Sequence, residues 1–320
     1  MARSYDVAVM HDFFVDRLVH SRSVSELLGV ADSKASLGGG SVHGIIQEDI
    51  RGGNAVNLSN ALARLGARVL LITHSDTGHS KMLHDAFEGL RAEVRIKHLV
   101  PGLTLALEGR VNVMLSDSGG AGRFPPSLLT EDDWEALRRS KVVCSVNWAA
   151  NRNGTQLLLA LRRRLGRRQV LFFNPSDVRD RFEEYRGLIS MLARRRVIDW
   201  MSLNEYEAAS TARALGEPQA GPRLACLEIA RKLKVRADVH TERMVYTSRG
   251  EGPLSRKTRH VRPRRLTGAG DVWDSASIFG FLRGMDDGRR LEFANAAARL
   301  YVGADEPRPP TLSEVRKSLG

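Results

Sequence analysis

The chain has 320 residues, of which 42% are hydrophobic, and it carries a formal net charge of +12 at pH 7. This length is enough for one large α/β domain or two smaller ones. No apolar run has the length of a membrane span or the pattern of a signal peptide, so we expect a cytoplasmic protein without a membrane partner. The two cysteines, Cys144 and Cys226, lie in apolar contexts, which predicts buried free thiols rather than a disulfide. No Cys/His spacing resembles a zinc site.

The positive charge is concentrated in short arginine runs. Arg162–Arg164, Arg167–Arg168 and Arg194–Arg196 fall at or near the ends of predicted helices, where arginine usually faces solvent and complements the helix dipole. No aromatic residues alternate with these runs, as a nucleic-acid platform would require. We therefore do not expect a nucleic-acid partner, and only the run at 256–265 is a candidate for attracting anions.

The N-terminal third of the chain predicts several strands and part of a smaller sheet. Residues 6–10 have the pattern of a short buried strand, and further strands are predicted over 68–73 and 93–99. A loose alternation over 17–50 predicts short strands outside the main sheet, and a hairpin over 103–115 would complete a small β lid. We place the lid strands within about 14–50 and 100–118.

A glycine pair stands at the start of the next predicted helix. Gly52 and Gly53 precede an apolar stripe over 56–65, and small residues there would let a ligand approach the helix opening. Asn54 and Asn57 are one turn apart, so both could face that ligand. A simple capped helix start is the alternative reading of this stretch.

From residue 141 onward, predicted strands and helices alternate regularly. Strands over 141–146, 169–173, 197–203 and 235–239 alternate with helices, which predicts a mostly parallel sheet covered on both faces. Polar residues follow several strands, where ligands bind in such sheets. These polar residues are Asp12, Asp16, Asn147, Asn174, Asn204 and Glu207. Further strands are predicted over 243–247 and 258–261.

The most informative stretch comes next. Gly268, Ala269, Gly270 and Asp271 precede an apolar helix that begins near Val272. Free N–H groups and the dipole at a helix start favour an anion, and Asp271 would stand beside it, placed to take a proton from a hydroxyl. Anion stabilisation and positioning of a nucleophile are what phosphoryl transfer requires. The alternative is a glycine turn with an aspartate cap.

Together, these motifs resemble the ribokinase-like (PfkB-type) carbohydrate kinases over nearly the whole chain. The order of an acid after the first strand, a Gly-Gly helix start, Asn-x-x-Glu and Gly-Ala-Gly-Asp is the order of that family. The resemblance implies a three-layer α/β/α sandwich with a mostly parallel central sheet and a small β lid, formed by a single domain over 1–320. It also implies transfer of the γ-phosphoryl group of ATP, with Mg²⁺, to a hydroxyl of a sugar, polyol or nucleoside.

The resemblance assigns roles to individual residues. Asp271 would be the catalytic base, and Gly268, Ala269 and Gly270 the anion hole. The acceptor would be bound by Asp16, Gly52, Gly53, Asn54 and Asn57. The nucleotide would be bound by Asn204, Glu207, Thr247, Gly250 and Asn295. Glu207 would hold Mg²⁺ through water.

Departures from the family pattern leave alternatives open. Arg265 and Leu266 replace the usual Asp-Thr pair before the glycine loop, so potassium activation is open, and Trp273 replaces a small residue. These changes motivate a second hypothesis, a non-catalytic sugar- or nucleotide-binding relative. The acceptor is also open, because Phe13 and Phe14 would either stack on a nucleoside or pack in the core. A basic lid residue such as Arg110 would suit an acceptor phosphate. Free lid edges would suit a homodimer.

Overall fold

The computed structural model describes residues 4–21, 23–108, 112–166, 168–264, 267–306 and 308–320, with the backbone alone at 108 and 112. Arg110, Arg265 and Leu266, which carry three of the expectations above, lie outside the described residues. Both cysteines are buried and free. Within these ranges, no helix is both long enough and apolar enough to cross a membrane.

The strands fall into two sheets. In chain order they are β1 (Tyr5–Met10), β2 (Phe14–His20), β3 (Gln47–Gly52), β4 (Val69–Ser75), β5 (Ala92–His98), β6 (Gly102–Glu108), β7 (Asn112–Asp117), β8 (Ser140–Val146), β9 (Val170–Asn174), β10 (Trp200–Asn204), β11 (Arg236–His240), β12 (Met244–Ser248) and β13 (Leu254–Lys257). The larger sheet has the order β13-β12-β11-β10-β9-β8-β1-β4-β5. From β5 to β11 all neighbours are parallel, and β12 runs antiparallel to β11 and β13.

Helices cover both faces of the larger sheet. In chain order the described helices are α1 (Val24–Ser36), α2 (Asn54–Arg64), α3 (Ser80–Phe87), α4 (Glu131–Arg138), α5 (Gly154–Arg164), α6 (Phe182–Arg194), α7 (Glu205–Ala214), α8 (Pro222–Leu233), α9 (Ala269–Leu282), α10 (Asp287–Gly303) and α11 (Leu312–Leu319), and α1 does not pack on the sheet. One apolar core joins the sheet to α4–α8, and the other joins it to α2, α3 and α9–α11. Alternate residues of β1 enter opposite cores, with Ala8 in one and Val9 in the other. The predicted three-layer arrangement is therefore confirmed.

The smaller sheet has the order β3-β2-β6-β7 and stands apart from the larger one. β2 pairs in parallel with β6 and antiparallel with β3, so that Phe14 is opposite both Gly52 and Gly102. Gly102 is required there because a β-carbon would lie 2.4 Å from the Phe14 ring. The strands fall in the two stretches predicted for the lid, and β6 and β7 form the predicted hairpin.

Two predictions of secondary structure were incomplete or wrong. Helix α1 was not predicted, and it buries none of its residues, so it lacks the apolar stripe by which helices are recognised in sequence. The strand predicted over 258–261 lies four residues earlier than expected, since β13 covers Leu254–Lys257 and residues 258–263 have no regular structure.

Candidate active site

The glycine loop places Asp271 at the start of α9. Gly268 adopts a left-handed conformation with φ +81°, and a β-carbon there would lie 2.9 Å from the Tyr301 hydroxyl. That hydroxyl donates to the backbone carbonyl of Thr267 over 2.9 Å, which fixes the loop against α10. The helix begins at Ala269, three residues earlier than predicted, so Asp271 lies in its first turn instead of preceding it.

Two amides hold the Asp271 carboxylate. Asn54 donates to one oxygen over 3.1 Å and Asn57 to the other over 3.2 Å. Both come from the first turn of α2, so the structure brings together two motifs that are more than 200 residues apart. Burial raises the pKa of Asp271 well above its usual value, against the lowering effect of the Asn57 hydrogen bond. Among the described residues, no cationic side chain donates a hydrogen bond to this carboxylate.

Asp12 fixes the start of α2. Its carboxylate accepts from the backbone N–H groups of Asn54 over 2.8 Å and Ala55 over 2.9 Å, and from the Asn147 amide over 2.8 Å. Asp12 follows β1, which has β4 on one side and β8 on the other. Connections that leave such a strand and its neighbour run to opposite sides of the sheet. They leave a crevice at the carboxyl ends of these strands, where ligands bind in α/β proteins.

A small cavity opens between the smaller sheet and the glycine loop. Its volume is about 260 Å³. It is lined by Asp16, Leu18, Ile50, Arg51, Asn57, Thr267, Gly268, Val272, Tyr301 and Pro309. Asp16 is accommodated because its neighbour in space is Gly52, where a β-carbon would lie 2.1 Å from a carboxylate oxygen. Burial raises the pKa of Asp16 to about 6, against the lowering effect of a hydrogen bond from Thr104.

Gly53 brings the chain close to Asp12 rather than to the cavity. It has φ +98°, and a β-carbon there would lie 2.8 Å from the Asp12 carbonyl oxygen.

Arg51, which also lines the cavity, was not predicted as a site residue. Its guanidinium donates to the side-chain oxygens of Asn57 and Asn60, each over 3.0 Å, and a lone arginine before a glycine pair gives no sequence signal for such a role.

A second group of carboxyls lies deeper along the same edge of the sheet. Asp274, one turn beyond Asp271, accepts from the Asn174 amide over 3.0 Å and from the Ser202 hydroxyl. Burial raises its pKa to about 7. Sequence analysis missed Asp274, although an acid three residues after Asp271 in an apolar helix is a detectable signal.

The Asn-x-x-Glu motif forms the start of α7. Asn204 accepts from the backbone N–H of Glu207, and the Glu207 carboxylate accepts from the Asn204 backbone and amide over 2.9 and 2.8 Å. This is a capping box. Burial raises the pKa of Glu207 to about 8, and the nearby Asp274 carboxyl adds to the rise. Glu207 and Asp274 therefore occupy one region of the crevice.

The remaining predicted nucleotide residues are dispersed. Asn295 on α10 accepts from the Trp273 indole N–H over 2.9 Å and donates to the Lys257 carbonyl, so it lies near the loop that leads to Gly268. The Thr247 hydroxyl is buried and accepts from Arg290 over 2.9 Å. Gly250 lies in the turn between β12 and β13, at the amino edge of the parallel strands, because β12 runs antiparallel. The structure does not bring Gly250 to Asp271.

The chain was compared with known proteins. No protein-family model matches the sequence, and no curated protein matches it. Solved structures do match over nearly the whole chain. Ribokinase from Arabidopsis thaliana, complexed with ribose and ATP, is 18% identical with a TM-score of 0.76, and 99% of each chain is covered. Adenosine kinase from Sinorhizobium meliloti is 19% identical with a TM-score of 0.76, covering 99% of this chain and 100% of that one.

A putative ribokinase II from E. coli, in complex with ATP and Mg²⁺, is 15% identical with a TM-score of 0.79, covering 98% of this chain and 99% of that one. All of these structures are sugar or nucleoside kinases by name, and their likeness to the chain at low identity is a likeness of architecture. The chain therefore has the fold of the ribokinase-like carbohydrate kinases, as its motifs predicted.

Proposed function

We propose that the chain is an ATP- and Mg²⁺-dependent phosphotransferase that acts on a hydroxyl of a small acceptor. The observation that carries this proposal is the Asp271 carboxylate, which Asn54 and Asn57 hold in the first turn of the helix that follows the glycine loop. Asn57, Gly268 and Val272, which surround it, line the 260 Å³ cavity. A carboxylate in that position is placed to take a proton from a hydroxyl bound in the cavity, while the loop receives an anion.

The surroundings of Asp271 suit a general base. The two amides orient the carboxylate without neutralising it, and its raised pKa makes it a stronger base than an exposed aspartate. The N–H groups at the start of α9, with Gly268, Ala269 and Gly270, would stabilise the charge on the transferred phosphoryl group. Because phosphoryl transfer requires mainly positioning and charge stabilisation, these few groups are sufficient on the protein side.

The nucleotide would bind at the carboxyl edge beyond Asp271, towards Asn204, Glu207 and Asn295. Mg²⁺ prefers oxygen ligands and keeps most of its waters, so one or two carboxylates and the nucleotide phosphates suffice to hold it. Glu207, with Asp274 nearby, supplies the required oxygen donors, although the described residues contain no cluster of three such side chains. When bound, Mg²⁺ would offset the negative charge of the phosphates.

The cavity favours a sugar or polyol as acceptor over a nucleoside. Its 260 Å³ is below the roughly 300–1,000 Å³ typical of pockets for drug-sized ligands. The two aromatic residues that would have stacked on a base are buried elsewhere. Phe13 is in the apolar core and Phe14 packs on Gly102. Asp16 and Asn57 would bind acceptor hydroxyls.

A product-detection assay tests this function. The protein would be incubated with ATP, Mg²⁺ and each member of a panel of sugars, polyols, nucleosides and sugar phosphates, and the phosphorylated acceptor would be identified by mass spectrometry. We expect ATP- and acceptor-dependent product with at least one sugar or polyol derivative. No product with any acceptor, together with an ATP- or sugar-dependent rise in melting temperature, would instead support a non-catalytic binding protein.

The smaller sheet also supports a homodimer as a secondary proposal. Its outer surface exposes Leu103 and Leu115 by 53% and 56%, and β3 and β7 have free edges. Exposed apolar sheet surface and open edges favour pairing with another sheet. Sedimentation should show a dimer, and Leu115→Lys should shift it towards monomer.

A further inference from the structure

Arg51 brings a positive charge to the acceptor cavity without an ion-pair partner among the described residues. Its guanidinium donates hydrogen bonds to neutral amide oxygens, those of Asn57 and Asn60. No carboxylate in the described part of the chain lies within salt-bridge distance of it. By contrast, the buried Arg290 makes two hydrogen bonds with Asp238, over 2.6 and 3.0 Å. A guanidinium has five N–H donors, so Arg51 keeps donors for a ligand.

A second arginine adds to the positive charge. Arg64, at the end of α2, donates to the Pro309 carbonyl over 2.7 Å, and Pro309 also lines the cavity. Among the described residues, Arg64 likewise has no carboxylate within salt-bridge distance. Burial lowers the pKa of Arg51 and repulsion from Arg64 lowers it further, while attraction to Tyr301 and Asp271 only partly opposes the fall. Two like charges held close together in a partly buried place are costly unless an anion compensates them.

The distance between Arg51 and Asp271 limits the size of an acceptor molecule that could contact both residues. The Asn57 side chain accepts from Arg51 and donates to Asp271, so a single amide separates the guanidinium from the proposed base. Two hydrogen bonds and one amide span on the order of 8 Å. A molecule with a hydroxyl at Asp271 and an anionic group at Arg51 would thus be of monosaccharide size, in agreement with the small cavity.

We propose that Arg51 binds an anionic group on the acceptor, so that the acceptor is a sugar or polyol carrying a carboxylate, a phosphate or a sulfonate. The proposal rests on the proposed function, because it takes the cavity beside Asp271 as the acceptor site. Asp16, in the same cavity, would bind hydroxyls of the same molecule. Arg51 then determines specificity, and Asp271 performs the chemistry.

The competing role for Arg51 is to orient Asn57, and through it Asp271. The two roles differ in what substitution changes. If Arg51 binds an anion, Arg51→Met should weaken binding of anionic acceptors and leave neutral ones nearly unaffected. If it only orients Asn57, the same variant should affect neutral and anionic acceptors equally, through kcat.

Binding is measured first in Asp271→Asn, which removes the base so that turnover does not interfere. Glucitol, gluconate and glucitol 6-phosphate share one carbon chain with three different end groups, and calorimetry or thermal shift would compare them. We expect at least one anionic member to bind on the order of 10- to 100-fold more tightly than glucitol, the range for charged hydrogen bonds. Adding Arg51→Met should abolish that difference, and Arg51→Lys should keep part of it.

The matched control is Arg17→Met. Arg17 lies in the same small sheet, but it is exposed and paired with Asp49 over 2.7 Å, so the preference for anions should persist. Equal affinity for all three compounds, no binding of either anion, or a preference that survives Arg51→Met would overturn the proposal.

The two proposals fail separately. Wild-type protein that phosphorylates glucitol as well as the anionic acceptors would overturn the role of Arg51 and leave the kinase function standing. Preferential binding of anions without any phosphoryl transfer would overturn the kinase function and leave the anion-binding role of Arg51 standing.

Discussion

Two buried charged clusters in this molecule are built in opposite ways. In one, Arg290 and Asp238 are fully buried and make paired hydrogen bonds, with Thr247 and Asp287 completing the network. In the other, the carboxyls of Asp271 and Asp274 receive hydrogen bonds only from amides and a hydroxyl among the described residues. The first cluster compensates its charge internally, and the second does not.

The pKa values follow this difference. Burial alone would raise the pKa of Asp238, but Arg290 lowers it below the usual value. Burial raises the pKa of Asp274 to about 7, and no cation opposes the rise. Uncompensated carboxyls are costly to bury and gather at functional sites. We therefore expect the Arg290 cluster to serve the fold, and the contrast supports the proposed role of the Asp271 cluster in function.

The largest expected effect on stability comes from breaking the compensated cluster. Arg290→Met would leave Asp238 buried without a cation, and removing one partner of a buried pair typically costs about 3–5 kcal/mol. Chemical denaturation would measure the loss in unfolding free energy. Arg289→Met is the matched control, because Arg289 is exposed and its loss should cost less than about 1 kcal/mol. A small effect of Arg290→Met would contradict the structural role.

The uncompensated cluster should appear in the pH dependence of stability. With a folded pKa of about 7 against a usual 3.8, Asp274 keeps a proton in the folded protein that the unfolded chain releases. Its contribution is complete below pH 4 and is lost as the pH rises through 7.

Asp274→Asn should therefore make the fall in unfolding free energy between pH 5 and 7 shallower, by up to about 1.4 kcal/mol per pH unit. Denaturation curves at several pH values would test this. Asp132→Asn, at an exposed carboxyl on α4, should leave the slope unchanged. An unchanged slope in Asp274→Asn would show that Asp274 is ionised in the fold.

Gly52→Ala tests whether Asp16 contributes to acceptor binding as well as to stability. The added methyl would lie 2.1 Å from the Asp16 carboxylate, so Asp16 must move away from its place in the cavity. We expect a stability loss of about 1–3 kcal/mol and a rise of roughly tenfold in the KM of the acceptor, the equivalent of about 1.4 kcal/mol. Gly29→Ala, inside the exposed helix α1 where a methyl meets no atom within 4 Å, should leave the KM unchanged and should not lower the stability, since alanine is favoured over glycine in a helix interior. An unchanged KM in Gly52→Ala would remove Asp16 from the acceptor site.

The smallest expected effect comes from the threonine cap of α4. The Thr130 hydroxyl accepts from the Asp133 backbone N–H over 3.3 Å and donates to the Asp133 carboxylate over 2.9 Å. Thr130→Ala should cost about 1 kcal/mol of unfolding free energy, and Thr130→Ser much less. A cost as large as that of Arg290→Met would show that the Arg290–Asp238 pair stabilises the fold no more than an ordinary helix cap does.

The parts of the fold that sequence predicted are those with a local signal. The parallel strands have continuous apolar runs, and α4 has a threonine cap followed by acids. Asn54, Asn57 and Asp271 were identified through motifs, and the structure places them in contact. Helix α1 has no apolar stripe because it buries nothing, so periodicity had nothing to detect.

Residues whose roles depend on contacts with distant parts of the chain were harder to predict from the sequence. Arg51 depends on partners supplied by another element, and nothing in its neighbours along the chain indicates it. Asp274 also has its partners on other elements, although its place three residues after Asp271 is visible in the sequence. Gly250 was placed near the nucleotide by its order in the sequence. The reversal of β12 carries it to the other edge of the sheet, which only the strand directions reveal.

The most direct test of the account is to measure the turnover and the unfolding free energy of Asp271→Asn together. The account predicts that kcat falls on the order of 10²- to 10⁴-fold, the range for loss of a general base. We also expect an unfolding free energy that is unchanged or higher, since a neutral amide replaces a carboxyl that is costly to bury in its ionised form. Turnover within about threefold of wild type, a factor worth less than about 1 kcal/mol, together with a marked loss of stability would contradict it, because Asp271 would then serve the fold rather than the chemistry.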